Sequence, residues 1–198
     1  MLDLNGRRII LASASPRRAQ LLKLIGLEFE VVQSNCDESG ESYTFPEVQV
    51  LELSERKASM VAEQVEDGLI VGVDTVVALG DKIFGKPKDK SAAQEMLRQL
   101  SGQTHTVYTG FTLIDQPSGW LHSDYERTEV VFRKIDDAEI SRYVETESPL
   151  DKAGAYGIQD KSAVFVSKVN GCFYNVVGLP VTKFYVALRD FLASRNGT

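Results

Sequence analysis

Two carboxylates and a handful of scattered cations are the residues of this sequence best suited to chemistry. Asp74 lies inside "VGVDTVV", an apolar run in which a carboxylate loses its hydration unless a cation or hydrogen-bond donors hold it. Glu38 lies in "SNCDESGES", a polar stretch just past the end of another strand-like segment. Ligands of open α/β sheets settle beyond strand ends. Two hard oxygen ligands meeting there suit Mg²⁺ or Mn²⁺, which bind through one or two carboxylates together with substrate phosphates. The structural alternative for Asp74 is a strand-end residue that caps a neighbouring loop.

The cations are Arg17, Arg18, Lys57 and Lys86. Each alone reads as a solvated surface charge, but the two arginines sit awkwardly. In "LASASPRRAQLL", Ser13 or Ser15 caps a helix, Pro16 takes its first position, and Leu21, Leu22 and Ile25 form the inner stripe. Arg17 and Arg18 therefore fall in the first turn, where the helix dipole already presents positive charge. A phosphate chain at that corner would reverse the penalty by accepting from backbone N–H groups, a Ser13 or Ser15 hydroxyl and both guanidinium forks. No Walker loop is present, and Gly85-Lys86 lies elsewhere.

Other chemistries are poorly supported. His105 and His122 have no metal-ligand spacing, and neither Cys36 nor Cys172 has a basic neighbour that would activate a thiolate. Hydrolase-elbow and dinucleotide-binding glycine motifs are missing, and the aromatic residues do not interleave with a basic face. The net charge of −6 disfavours broad attachment to nucleic acid or to an acidic membrane, so any polyanion must be held in a local basic pocket. Two unpaired thiols, no signal-peptide layout and no apolar run of spanning length lead us to expect a soluble cytoplasmic protein.

These residues need a scaffold, and hydrophobic periodicity supplies one. Arg8–Ala12 reads as a strand feeding the arginine-bearing helix, which stops at Gly26; Phe29–Gln33 is a second strand. "TFPE" reads as a capping box of Thr44 with Glu47, opening a long helix with the stripe Leu51, Ser54, Ala58, Val61, Ala62 and Val65 and with Lys57 on its flank. The continuous apolar run Leu69–Leu79 is a strand covered on both faces, turning at Gly80-Asp81 into a short return strand. A helix carrying Ala93, Met96, Leu97 and Leu100 precedes a long hairpin from Thr104 to Phe132 that turns at Gln116–Gly119. Asp136 with Glu139 caps the next helix, strands Ala163–Val169 and Cys172–Val177 turn at Asn170-Gly171, and a last helix begins at Pro180. The pattern is a mixed α/β sheet with flanking helices. The 198 residues form one domain, with two lobes around a central cleft as the alternative layout.

"LASASPRRAQLL", "CDES", "LSERKA", "VGVDTVV", "GKP", "LSGQTHTVYTG" and "DKAGAYGIQ" together resemble the Maf-like nucleoside triphosphate pyrophosphatases, from about Arg7 to Arg189. The resemblance implies an inosine-triphosphatase-like α/β fold, a homodimer, and hydrolysis of dTTP and UTP, or of modified relatives of these, to monophosphate and pyrophosphate at the α–β phosphoanhydride bond. It also implies that Asp74 is the proton acceptor and that Arg17, Thr75 and Gln159 govern base selectivity. Ser13, Arg17, Arg18, Lys57 and Lys86 would surround the triphosphate, while Glu38 and Asp74 would hold the divalent metal. A glutamine amide at 159 can both accept from and donate to a uracil or thymine edge, and Gly154 and Gly157 would let the loop backbone approach the ring. Asp160 departs from the pattern, which implies a small residue there. The alternative function that the resemblance carries is a non-catalytic nucleotide-binding regulator of septum formation.

Overall fold

The computed structural model describes Leu2, Leu4 and residues 6–36, 43–146 and 149–194. Thirteen regular elements follow one another: β1 (Ile9–Ala12), α1 (Pro16–Leu24), β2 (Phe29–Val31), α2 (Pro46–Ala62), β3 (Gly68–Leu79), β4 (Lys82–Phe84), α3 (Lys90–Leu100), β5 (Thr104–Gln116), β6 (Trp120–Phe132), α4 (Asp137–Thr146), β7 (Val166–Asn170), α5 (Phe173–Val177) and α6 (Val181–Ala193). Short 3₁₀ turns cover Pro149–Asp151, Ala153–Ala155 and Lys161–Phe165.

The strands form one mixed sheet in the order β2-β1-β3-β5-β6-β7, with β4 also paired to β3. β1 runs parallel to β2 and β3, and the remaining pairs are antiparallel. Side chains alternate along β3, so its two faces enter different cores. Val71 and Val73 join Phe111 and Leu113 of β5 under Leu21 and Leu22 of α1 and Phe184 and Leu188 of α6. Further along, Val77, Val107 and Phe132 pack with α3 and α4 through Leu97, Leu100, Ile140 and Val144. Ile70 faces the other way, against Ala58 and Val61 of α2.

Two glycines let α2 settle closely on that second face. A Cβ at Gly72 would lie 2.1 Å from the Ser54 carbonyl oxygen, and one at Gly110 would lie 2.4 Å from that of Val50. Gly72 is opposite Thr112 and Gly110 is opposite Asp74, so the bare patch borders the carboxylate. Ser54, buried in the seam, hydrogen-bonds Thr112 Oγ1 at 2.8 Å.

The element order follows the periodicities, with four corrections. Phe45, not Thr44, occupies the N-cap of α2 and makes no side-chain cap, so the Thr44–Glu47 box does not form. Pro46 sits best at the first helical position, and that preference sets the boundary. Lys57 belongs to the buried face of α2 rather than its flank. The segment Cys172–Val177 is not a strand, since Phe173–Val177 is helical. Its buried Asn175 donates to the Val107 carbonyl and to Thr128 Oγ1, both at 3.0 Å. Finally, Lys161–Phe165 is a 3₁₀ turn instead of the start of a strand, capped by Asp160, whose carboxylate accepts from the Ser162 N–H at 2.8 Å.

Candidate active site

The site begins with an interruption in the sheet. One edge of β3 pairs with β5 along its whole length, from Gly68 to Ala78. The opposite edge pairs with β1 only over Leu69–Gly72 and with β4 only over Val77–Leu79. Between them, among the described residues, Val73–Val76 have no strand neighbour on that side. A cleft of about 1190 Å³ opens there. The start of α1, directly after β1, forms part of its lining, and the segment 151–161 forms another part.

Ser13, Arg17, Arg18, Lys57, Asp74, Thr75, Lys86 and Gln159 all line this cleft. The sequence candidates are thus brought together, with one exception: Glu38 lies outside the described residues. Among the described residues, six cationic and three anionic side chains line the cleft of a chain whose net charge is −6. That is the local basic pocket which the overall composition required of any polyanion binder.

Asp74 and Lys57 form its innermost pair. Both are buried, at 5% and 6% exposure, and Lys57 Nζ donates to Asp74 Oδ1 at 2.6 Å. Asp74 Oδ2 is also buried and has no hydrogen-bond partner among the described residues. A buried carboxylate oxygen is costly to leave without a partner, and this one belongs to a residue lining the cleft. Asp74 is therefore no loop cap.

The arginines behave differently from the sequence expectation. Ser15 is the N-cap of α1 but makes no side-chain cap, and the Ser13 hydroxyl accepts from the Ser15 N–H at 3.3 Å. Arg18 spreads across three oxygens: Ser13 Oγ at 2.9 Å, Thr75 Oγ1 at 3.0 Å and the Gly178 carbonyl at 3.1 Å. Arg17 Nη1 donates to Asp151 Oδ2 at 2.9 Å, and Nη2 donates to the Asp151 carbonyl at 3.2 Å. The protein itself thus supplies acceptors at this helix start. The arginine pair alone is no proof of phosphate; the pair combined with the cleft is the stronger sign.

Thr75 is held from behind. Its hydroxyl lies 3.0 Å from Thr109 Oγ1, and Thr109 in turn donates to the Asn175 carbonyl at 3.1 Å. This relay ties β3, β5 and α5 to Arg18.

Sequence reasoning missed the partners on the far wall. Lys152, only 8% exposed, places Nζ 2.6 Å from Asp151 Oδ1 and 3.3 Å from Asp160 Oδ2. Burial pushes the Asp151 carboxyl upward, but Lys152 and Arg17 outweigh it and hold the group below its ordinary range. At Gly157 a Cβ would lie 2.7 Å from Lys152 Cε, so the glycine makes room for the lysine stem. Gly154 has φ +67° and packs on Val77. Asp151, six residues ahead of "GIQ", and Asp160, directly after it, carry no periodic signal, so only the folded loop reveals this cluster.

Behind the same loop, His105 is buried with Nε2 2.8 Å from Tyr156 Oη. Burial lowers its pKa to about 4, so it is neutral at pH 7, and burial pushes the Tyr156 phenol far up. The histidine packs, as the sequence suggests. Cys36 and Cys172 are half-buried rather than fully buried.

Among the described residues, no group of three or more His, Cys, Asp or Glu side chains could enclose a metal ion. A site here would use one or two carboxylates, the pattern of Mg²⁺ and Mn²⁺ when substrate phosphates complete the shell. The orphaned Asp74 Oδ2, a hard anionic oxygen, fits that donor set. No described helix is long and apolar enough to cross a membrane.

The model of the Maf-like protein family matches residues 8–191. The chain is 46% identical over 185 residues to the dTTP/UTP pyrophosphatase of Bacillus anthracis, covering 93% of this chain and 96% of that protein. It is also 46% identical to the dTTP/UTP pyrophosphatase of Desulforamulus reducens, covering 93% and 97%. Among solved structures, that of the Staphylococcus aureus Ham1 protein aligns over 64% of this chain and 72% of that one, with a TM-score of 0.45 and 14% identity.

Proposed function

Because the chain belongs to the Maf-like family over nearly its whole length, we propose that it hydrolyses dTTP and UTP to the nucleoside monophosphate and pyrophosphate. The observation that carries the chemistry is the buried Asp74, whose Oδ1 is held by Lys57 while Oδ2 has no partner among the described residues, beside a cation-lined cleft.

In this reading a water attacks the α-phosphorus, the bond from that phosphorus to the bridging oxygen breaks, and pyrophosphate leaves with the electron pair. Asp74 Oδ2 orients the water and takes its proton. Lys57 fixes the carboxylate and keeps Oδ1 out of the reaction, so the task falls to one atom. Arg18, Lys86 and Arg17 offset the charge that gathers on the departing pyrophosphate. Ser13 and Thr75 hold the Arg18 fork in place before substrate arrives. We assign a divalent metal, Mg²⁺ or Mn²⁺, to Asp74 and Glu38; when bound, it would supply Lewis-acid polarisation of the phosphate oxygens and a more acidic water. A carboxylate oxygen has two lone-pair directions, so Oδ2 can serve a cation and a water side by side.

Gln159 and Thr75 are the proposed base-selecting residues together with Arg17. Support comes from their presence in one cleft with Asp74. The reading also takes the chain as one cytoplasmic domain that forms a homodimer. All the described strands join one sheet, which favours one domain, and light scattering tests the dimer.

The deciding experiment incubates the purified chain with dTTP, UTP, CTP and purine triphosphates plus Mg²⁺ or Mn²⁺ in ¹⁸O-water and identifies the products. Pyrophosphate with label in the monophosphate supports the reading. Inorganic phosphate, or label in pyrophosphate, refutes it. Asp74→Asn is expected to fold and to lose nearly all turnover; a folded variant that retains substantial activity removes Asp74 as proton acceptor.

A further inference from the structure

Four side chains of alternating sign run from the start of α1 to the residue after Gln159. Arg17 meets Asp151 at 2.9 Å, Asp151 meets Lys152 at 2.6 Å, and Lys152 meets Asp160 at 3.3 Å. Arg17 belongs to the triphosphate corner and Asp160 adjoins the proposed base reader. Lys152 is sheltered, at 8% exposure, while Asp151 is exposed at the mouth of the cleft. The ends of the run are pinned as well. Arg17 also holds the Asp151 carbonyl, and Asp160 is locked onto the Ser162 N–H and hydroxyl at 2.8 and 2.5 Å.

We propose that Asp151 is a positioning residue for base selectivity, acting through Lys152 and Asp160 to set the backbone that presents Gln159. The inference rests on the proposed dTTP/UTP reading but can fail separately from it. Its physical logic is geometric. Gln159 itself is exposed, and an exposed glutamine discriminates poorly unless its backbone is fixed, because a loop free to shift carries the amide out of register with the base edge it reads. Asp151 is the only member of the four that touches both Arg17 and Lys152, so removing it separates the loop from α1 and releases one of the two carboxylates described around Lys152. Asp160, where the family pattern implies a small residue, closes the far end. The departure is thus part of the device, and Gly157 leaves the space for it.

The test compares equilibrium binding of dTTP and CTP in EDTA, so that no turnover enters, for the wild type and for Asp151→Ala, Asp151→Glu, Asp160→Ala and the double Ala variant. The wild type is expected to prefer dTTP, and Asp151→Ala to reduce that preference about tenfold, the scale of one mispaired polar group, chiefly by weakening dTTP. Asp151→Glu restores part of it. The double variant is no less selective than Asp160→Ala alone, because the chain is already cut. If Asp151→Ala lowers affinity for both nucleotides equally, or leaves the ratio within about twofold, or if the two Ala effects simply add, the inference is overturned. It is equally overturned by a wild type that binds dTTP and CTP alike. Should Asp151→Ala fail to fold, Asp151→Asn carries the same expectations. A wild type that shows the binding preference but releases no pyrophosphate sinks the proposed reaction and leaves this inference standing.

Discussion

Replacing Gly72 by alanine probes the link between packing and chemistry most directly. The new Cβ would lie 2.1 Å from the Ser54 carbonyl oxygen and 2.8 Å from Ala58 N. Both are backbone atoms that no rotamer change can move. An ordinary carbon–oxygen approach is about 3.4 Å, so α2 must lift from β3 by roughly 1.3 Å. Lys57 lies between the two obstructed residues and is carried with them. At an effective dielectric of about 20, stretching the 2.6 Å Lys57–Asp74 contact by that amount weakens it by about 2 kcal/mol. Overpacking adds its own cost of about 1–3 kcal/mol. The expected outcome is a urea midpoint lowered by an equivalent of about 3–5 kcal/mol at unchanged m-value, with the protein still folded in water. With its lysine clamp withdrawn, Asp74 is no longer held in place, and a misplacement of about an ångström costs roughly 100-fold in kcat, measured as pyrophosphate release from saturating dTTP. If the variant keeps its stability within about 0.5 kcal/mol and its full kcat, the close seating of α2 on Gly72 is not what positions Asp74.

Three further outcomes follow from the same geometry. Lys57→Met leaves a buried charge unpaired and should destabilise the fold by about 3–5 kcal/mol, whereas Lys57→Met with Asp74→Asn should recover most of the loss without activity; denaturant titration separates the two. His105 is held at a pKa of about 4, below its unfolded value. The unfolded chain then binds the proton first, so this contribution is complete above about pH 6.5 and is lost as pH falls toward 4, at up to about 1.4 kcal/mol per pH unit. His105→Gln should flatten that part of the stability–pH curve. Arg18→Lys retains the charge but cannot reach Ser13, Thr75 and Gly178 together. It should raise the KM for dTTP severalfold in steady-state assays, and an unchanged KM would remove Arg18 from substrate binding.

Periodicity made most elements legible because the apolar stripes are long and the turns carry their own signals. The hairpin over residues 104–132, the buried β3 and the Asp136 cap of α4, which accepts from the Glu139 N–H at 2.8 Å, all follow from local rules. Lys57 did not, since a lysine beside an apolar stripe reads as solvated until its partner is known, and that partner sits on β3. α5 failed for a related reason. Phe173–Val177 is rich in strand-forming residues, but β propensity is weak when tertiary bonds compete, and here Asn175 and the Gly178 carbonyl are committed to β5 and to Arg18. The far wall of the cleft was legible as a motif and not as a device, because Asp151, Lys152 and Asp160 become a cluster only when the loop folds back.

Asp74 and Thr75 raise a final geometric question, since neighbours in a strand point to opposite faces. On a fully paired strand, two such residues could not serve one ligand. Asp74 turns toward α2, where Lys57 holds it, and Thr75 turns toward α1, where Arg18 holds it with Thr109 of β5 alongside. They line the same cleft because β1 ends opposite Gly72 and β4 ends opposite Val77. That leaves a stretch of roughly 13 Å of strand edge, four residues long, from which both faces are reachable. The length of β3 therefore has a chemical consequence. A strand that stopped with β1 would carry neither residue, and a β1 long enough to pair throughout would wall them apart. The carboxylate proposed to take the proton and the residue proposed to sense the base are brought together by an unfilled position in the sheet, and the helix start that follows β1 supplies the cations at its rim.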